Sequence, residues 1–134
     1  MRSVVAVLMG VVVTLAIVMI SGYVITSVLG IAPDDRTAPA FLNASLVANA
    51  IAASLGGATA MRFAPHSPRG HVLVFAGVLL LISLGTLFQP PPPTQPGWYN
   101  VVNSVIGPLF ALLGGVAAAK VSRRPAGPSA PPRA

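Results

Sequence analysis

Long uncharged apolar runs dominate the chain, and charge appears only where they stop. There is no Asp, Glu, Lys or Arg between Arg2 and Asp34, between Arg36 and Arg62, or between Arg69 and Lys120. A helix needs about 20 predominantly apolar residues to cross a hydrocarbon core of about 30 Å. The first run supplies one such span over residues 4–29, and the second supplies another over 40–61. The third run is too long for a single crossing and is broken by QPPPPTQPG, residues 89–97. It therefore yields two spans, 72–88 and 98–119. The pattern predicts an all-α membrane domain of four transmembrane helices over residues 1–121. A cytoplasmic tail, 122–134, reads SRRPAGPSAPPRA, has no apolar periodicity and is expected to be disordered.

Proline placement agrees with this division. Of the 14 prolines, only Pro108 falls inside an expected span. The others lie in links, at helix starts or in the tail, where a residue without an N–H does least harm. The first run is much longer than the 7–15-residue apolar core of a cleaved leader, and no A-x-A site follows it. A permanent first helix is expected.

Composition identifies the solvent. Hydrophobic residues make up 54% of the 134 residues and charged ones 7%. A soluble domain uses about 25% charged residues to cover its surface, so this chain is expected in lipid. The net charge of +6 does not indicate nucleic-acid binding, because the basic residues form no face interleaved with aromatics. Their distribution sets an orientation instead. Arg2, Arg62, Arg69, Lys120, Arg123, Arg124 and Arg133 fall on one side of the four-span arrangement and Arg36 alone on the other. Short loops rich in Lys and Arg stay in the cytoplasm, so both termini are expected inside. The links holding Asp34, Asp35 and the proline cluster are then outside. Trp98 and Tyr99 sit at the outer interface, where amphipathic aromatics anchor helix ends.

Small residues mark the expected helix contacts. Ala40, Ala44, Ala48, Ala52, Gly56 and Ala60 recur at every fourth position of the second span, and Gly107, Ala111, Gly115 and Ala119 do so in the fourth. Lipid provides no hydrophobic drive for helices to pair, so close backbone approach along such stripes is a main source of affinity. The two spans also end alike, in LGGATAMR (55–62) and LGGVAAAK (113–120). That likeness suggests two duplicated helical hairpins, whose symmetry axis would run along the membrane normal.

Candidate chemistry is sparse. No ionisable residue lies within any expected span, which argues against proton-coupled transport. Asn43, Asn49 and Asn103 are the candidates for a polar interface or a solute path, with Asn49 the deepest. Pro108 should kink the fourth helix, because it removes one backbone hydrogen bond and crowds the carbonyl of Ser104. His66 and His71, in or at the edge of the inner link, lack a carboxylate or thiol partner for a metal. Cysteine is absent, and no catalytic, cofactor-binding or metal motif is present. A nucleophile–base pair is missing as well, so an enzyme is not expected.

At LGGATAMRFAP, followed by a His and another apolar span, the chain resembles small four-helix membrane proteins encoded in many bacterial genomes. Many of these end a span in Leu-Gly-Gly before a basic residue and carry a proline-rich outer loop before a Trp-Tyr pair. The resemblance covers most of the chain and implies the bacterial cytoplasmic (inner) membrane as location. It implies no activity, since that group is uncharacterised. Size and span number are also similar to small multidrug exporters, but those rely on a Glu embedded in the first helix. Residues 4–29 contain none. The expected function is that of a non-enzymatic accessory or structural subunit, partnered by the bilayer and by a second copy or another membrane protein. The alternative is a small-solute permease or channel.

Overall fold

Each expected span becomes one helix, the arrangement in which a segment pairs its backbone groups with one another and needs no water to satisfy them. The computed structural model describes residues 2–31, 38–64, 68–90 and 95–122. They form four helices: α1 (Arg2–Leu29), α2 (Pro39–Arg62), α3 (Pro68–Leu87) and α4 (Gly97–Ser122). All four are long and apolar enough to cross a membrane. Asp34–Arg36, His66, the prolines at 91–93 and the tail beyond Ser122 lie outside the described residues.

Backbone chemistry sets the helix ends. At the end of α1, Gly30 takes φ 61°, and the Ile31 N–H reaches back 3.0 Å to the Thr26 carbonyl. This glycine cap satisfies a carbonyl that the helix leaves unpaired. Pro39 opens α2 and Pro68 opens α3. Proline suits a first helical position, where its missing N–H would have no intrahelical partner and its fixed φ is already helical. The helix thus starts four residues before the expected third span, 72–88: Arg69, Gly70 and His71 stand in its first turn, and it ends at Leu87. In α4 the helix runs through Pro108 to Ser122, one residue into the expected tail.

The helices alternate in direction around α2, which touches each of the others. α1 packs on α2, α2 on α4, and α4 on α3, with a smaller contact between α1 and α3. α1 and α4 do not meet among the described residues. Gly10 lies against Ala60 and Phe75, and Val72 lies against Gly115. The starts of α1 and α3 and the ends of α2 and α4 therefore share one end of the bundle, the basic end, which carries Arg62, Arg69 and Lys120.

The tightest packing lies in the half of the bundle nearer the basic end, and glycine makes it possible. A Cβ on Gly10 would lie 2.9 Å from the Gly56 carbonyl oxygen and 3.2 Å from the Phe75 ring. On Gly56 it would collide with Thr14 Oγ1 and stand 2.8 Å from Phe75 Cζ. On Gly57 it would run into the Ala111 backbone, and on Gly114 into the Ser54 backbone. On Gly115 it would meet Val72 at 2.5 Å. Each Gly-Gly pair thus serves two neighbours: Gly56 admits α1 while Gly57 admits α4, and Gly114 admits α2 while Gly115 admits α3. Phe75 fills the space between α1, α2 and α3 and is fully buried. Outside this core, α1 and α3 present large apolar side chains such as Met19 and Leu81 outward, 77% and 71% exposed.

Candidate functional site

Hydroxyls and amides within a membrane helix must find partners inside the protein. Several do so on their own helix, donating to a carbonyl three or four residues back. Ser54 Oγ donates to the Ala50 carbonyl at 2.8 Å and Thr59 Oγ1 to the Leu55 carbonyl at 2.8 Å. Thr14 divides its contacts between the Gly10 carbonyl at 2.9 Å and, across to α2, the Ala52 carbonyl at 3.4 Å.

The side chain–side chain bonds between helices gather in the half away from the basic end. On the α2–α4 seam, Asn49 Nδ2 donates to Asn103 Oδ1 at 2.8 Å. One turn further, Ser45 Oγ and the Tyr99 hydroxyl lie 2.7 Å apart. Both pairs join residues 54 apart in the chain, as does the close approach of Gly57 to Ala111. Gly114, by contrast, approaches Ser54, 60 positions before it, so the two helices run in the same direction without one fixed offset along their whole length. Ser104 Oγ bonds the Asn100 carbonyl at 2.7 Å and reaches the Ser83 carbonyl of α3 at 3.3 Å. Gln95 Nε2 donates to Asn100 Oδ1 at 2.6 Å. Among the described residues, no buried side-chain nitrogen or oxygen lacks a hydrogen-bond partner.

Beside this seam, where α1 and α4 fail to meet, lies a cleft of about 550 Å³. Ser21, Gly22 and Thr26 of α1 form one wall, Ser45, Ala48 and Asn49 of α2 the floor, and Tyr99 of α4 the far side. Thr26 Oγ1 is turned back onto the carbonyls of Gly22 and Tyr23, at 3.1 and 2.9 Å. Val18, Met19, Ile25, Ile31 and Phe41 complete the lining, and among the described residues its titratable groups are the Tyr23 and Tyr99 phenols.

The small-residue candidates separate by neighbour. Ala52, Gly56 and Ala60 are buried, with Gly56 and Ala60 against Gly10 of α1. Ala44 and Ala48 are half-buried, and Ala40 is exposed. On α4, Ala111 meets α2, while Gly115 meets Val72 of α3 and Gly107 approaches Ser83 of α3 at 4.0 Å. Asn43 is exposed and lies six residues from Asn49, about 9 Å along the helix axis. Pro108 is half-buried within α4. His71 belongs to α3 rather than to the preceding link, and His66 is outside the described residues. Gly57, Gly114, Thr14, Ser45 and Phe75 were not among the candidates. The paired glycines in both LGG motifs were the available signal for the first two.

Compared with known protein families, with curated proteins and with solved structures, the chain matches none of them.

Proposed function

We propose that this chain is a multi-pass protein of the bacterial cytoplasmic membrane that acts by seating another transmembrane helix. It is an accessory or structural subunit without chemistry of its own. The observation that carries this reading is the cleft between α1 and α2. Among apolar residues such as Val18, Met19 and Phe41, its lining sets Gly22, Ala48, Ser21, Thr26 and Ser45, the small and hydroxylated residues with which helices approach closely in lipid. The incoming helix belongs to a second copy of this chain or to another membrane protein.

Both termini are cytoplasmic in this proposal, because the basic end carries Arg62, Arg69 and Lys120 and basic segments are retained inside. The cleft then opens in the outer half. The hairpins α1–α2 and α3–α4 are a duplicated unit, on the strength of the two LGG ends and the parallel pairing of α2 with α4. The copies have diverged in packing, since α3 touches α2 while α1 and α4 do not meet among the described residues.

A small-solute permease is the competing reading, favoured by the polar lining that reaches Asn49. The bonding of Asn49 to Asn103 and the glycine-mediated packing beyond it speak for a closed seam. The test places a photo-crosslinking residue at Gly22, where a side chain has open space, in cells making the protein. A discrete adduct with a second copy or with one integral membrane protein is expected. Rapid uptake of a defined solute by liposomes holding only the purified chain would overturn the proposal.

A further inference from the structure

A second concavity lies at the basic end, formed where α3 starts and where α2 and α4 finish. It holds about 410 Å³. Its walls are Met61, Val72, Leu73, Leu112 and Val116, and its two charged lining residues are Arg69 and Lys120. Gly115 forms its base, where the absent side chain lets Val72 approach α4. Arg69 and Lys120 are both exposed, and they come from different helices onto one rim. The groove floor is apolar, so it fits hydrocarbon, while the rim fits an anion.

Three further observations bear on the occupant. α3 begins at Pro68, so the positive end of its helix dipole points to the same rim. Lys120 stands in the last turn of α4, where it offsets that helix's negative end. The chain's two acidic residues, Asp34 and Asp35, fall between α1 and α2, and that link leaves and enters the bundle at the opposite end. No acidic side chain belongs to any of the helices that build the groove.

We infer that this groove binds an anionic phospholipid, with one acyl chain along Val72, Leu112 and Val116 and the phosphate between Arg69 and Lys120. Basic pockets between transmembrane helices recognise anionic headgroups in this way. The proposal is independent of what occupies the outer cleft.

Native mass spectrometry of the delipidated protein in neutral detergent tests it, with phosphatidylglycerol and phosphatidylcholine of identical chains as probes. Attraction of an anionic headgroup is on the order of fivefold per basic residue, so phosphatidylglycerol should bind about 25-fold more tightly. The double variant Arg69→Gln/Lys120→Gln should bring the two lipids to near equality. Val116→Trp, which fills the groove from its exposed wall, should weaken both. Arg62→Gln removes an exposed charge at the same end but outside the groove lining, and should leave the preference intact. Equal affinities in the unmodified protein would overturn the inference. So would a preference that survives the double variant, or unchanged binding in Val116→Trp. Loss of preference in Arg62→Gln would point to diffuse surface charge, and displacement by millimolar inorganic phosphate would point to an anion site; either result defeats the proposal.

Discussion

Asn49 of α2 donates its amide hydrogen to the side-chain oxygen of Asn103 in α4, 2.8 Å away. The two residues sit on helices that run in the same direction, and the bond fixes their register one amide against another. Each loses its partner if the other is replaced. Interhelical hydrogen bonds in membrane proteins average about 0.6 kcal/mol and reach about 1.7. Asn49→Leu and Asn103→Leu should each destabilise the bundle by an amount in that range. The double variant should lose less than the sum, giving a coupling of at least about 0.5 kcal/mol in reversible unfolding from micelles. A coupling near zero would mean that the pair carries no energy.

Glycine substitutions should separate by location. In Gly57→Ala and Gly114→Ala the new methyl meets the backbone of the facing helix, which cannot rotate away. Overpacking of this kind costs about 1–3 kcal/mol. Gly22→Ala and Gly77→Ala introduce the same methyl with nothing within 4 Å. They should be neutral or stabilising by up to about 1 kcal/mol through helix propensity. Thermal melting in one detergent would show whether the signs differ between the two sets.

Two phenylalanines offer a similar contrast. Phe75 is fully buried where α1, α2 and α3 converge, whereas Phe88 is 89% exposed. Phe75→Ala should remove about 3–5 kcal/mol, the usual range for an aromatic core truncation. Phe88→Ala should change the unfolding free energy by under about 0.5 kcal/mol.

Topology can be read directly, because the chain has no cysteine. Single cysteines at Arg36 and Thr94 should react with an impermeant maleimide on intact cells. Those at Ser67 and Ser129 should react only after permeabilisation. The reverse pattern would invert the orientation, and labelling of all four on intact cells would dismantle the four-span arrangement.

Helix positions were legible because charge is confined to the helix ends. The start of α3 was not, since Arg69, Gly70 and His71 look like a polar link until Pro68 is recognised as a first-turn residue. The partner of each small residue was also hidden. A residue repeated every fourth position advances about 40° around a helix of 3.6 residues per turn. From Ala44 to Ala60 the stripe therefore winds about 160°, and it cannot face one neighbour throughout. Its last three members lie on the side toward α1, while the contact with α4 fell to Gly57, one position off the stripe. The Asn49–Asn103 bond was hidden for another reason. Both residues were visible as polar groups, but pairing them requires the register of two helices distant in the chain. Tyr99 was expected as an interface anchor beside Trp98. The two rings do stand edge to face at 6.1 Å, but the Tyr99 hydroxyl turns inward to Ser45.

The 54-residue separation of the Ser45–Tyr99 and Asn49–Asn103 pairs also has a meaning in time. A ribosome adds about 5–20 residues per second, so α2 waits roughly 3–11 seconds before the matching part of α4 has been made. Throughout that interval Asn49 and Ser45 lack their eventual partners on α4, on the least apolar of the four helices. On α1, the Thr26 hydroxyl that shares their cleft is turned back onto the Gly22 and Tyr23 carbonyls of its own helix. The newborn α2 is thus a helix with reason to linger beside the insertion machinery until its sister emerges, and a translational pause between the two hairpins would lengthen that exposure.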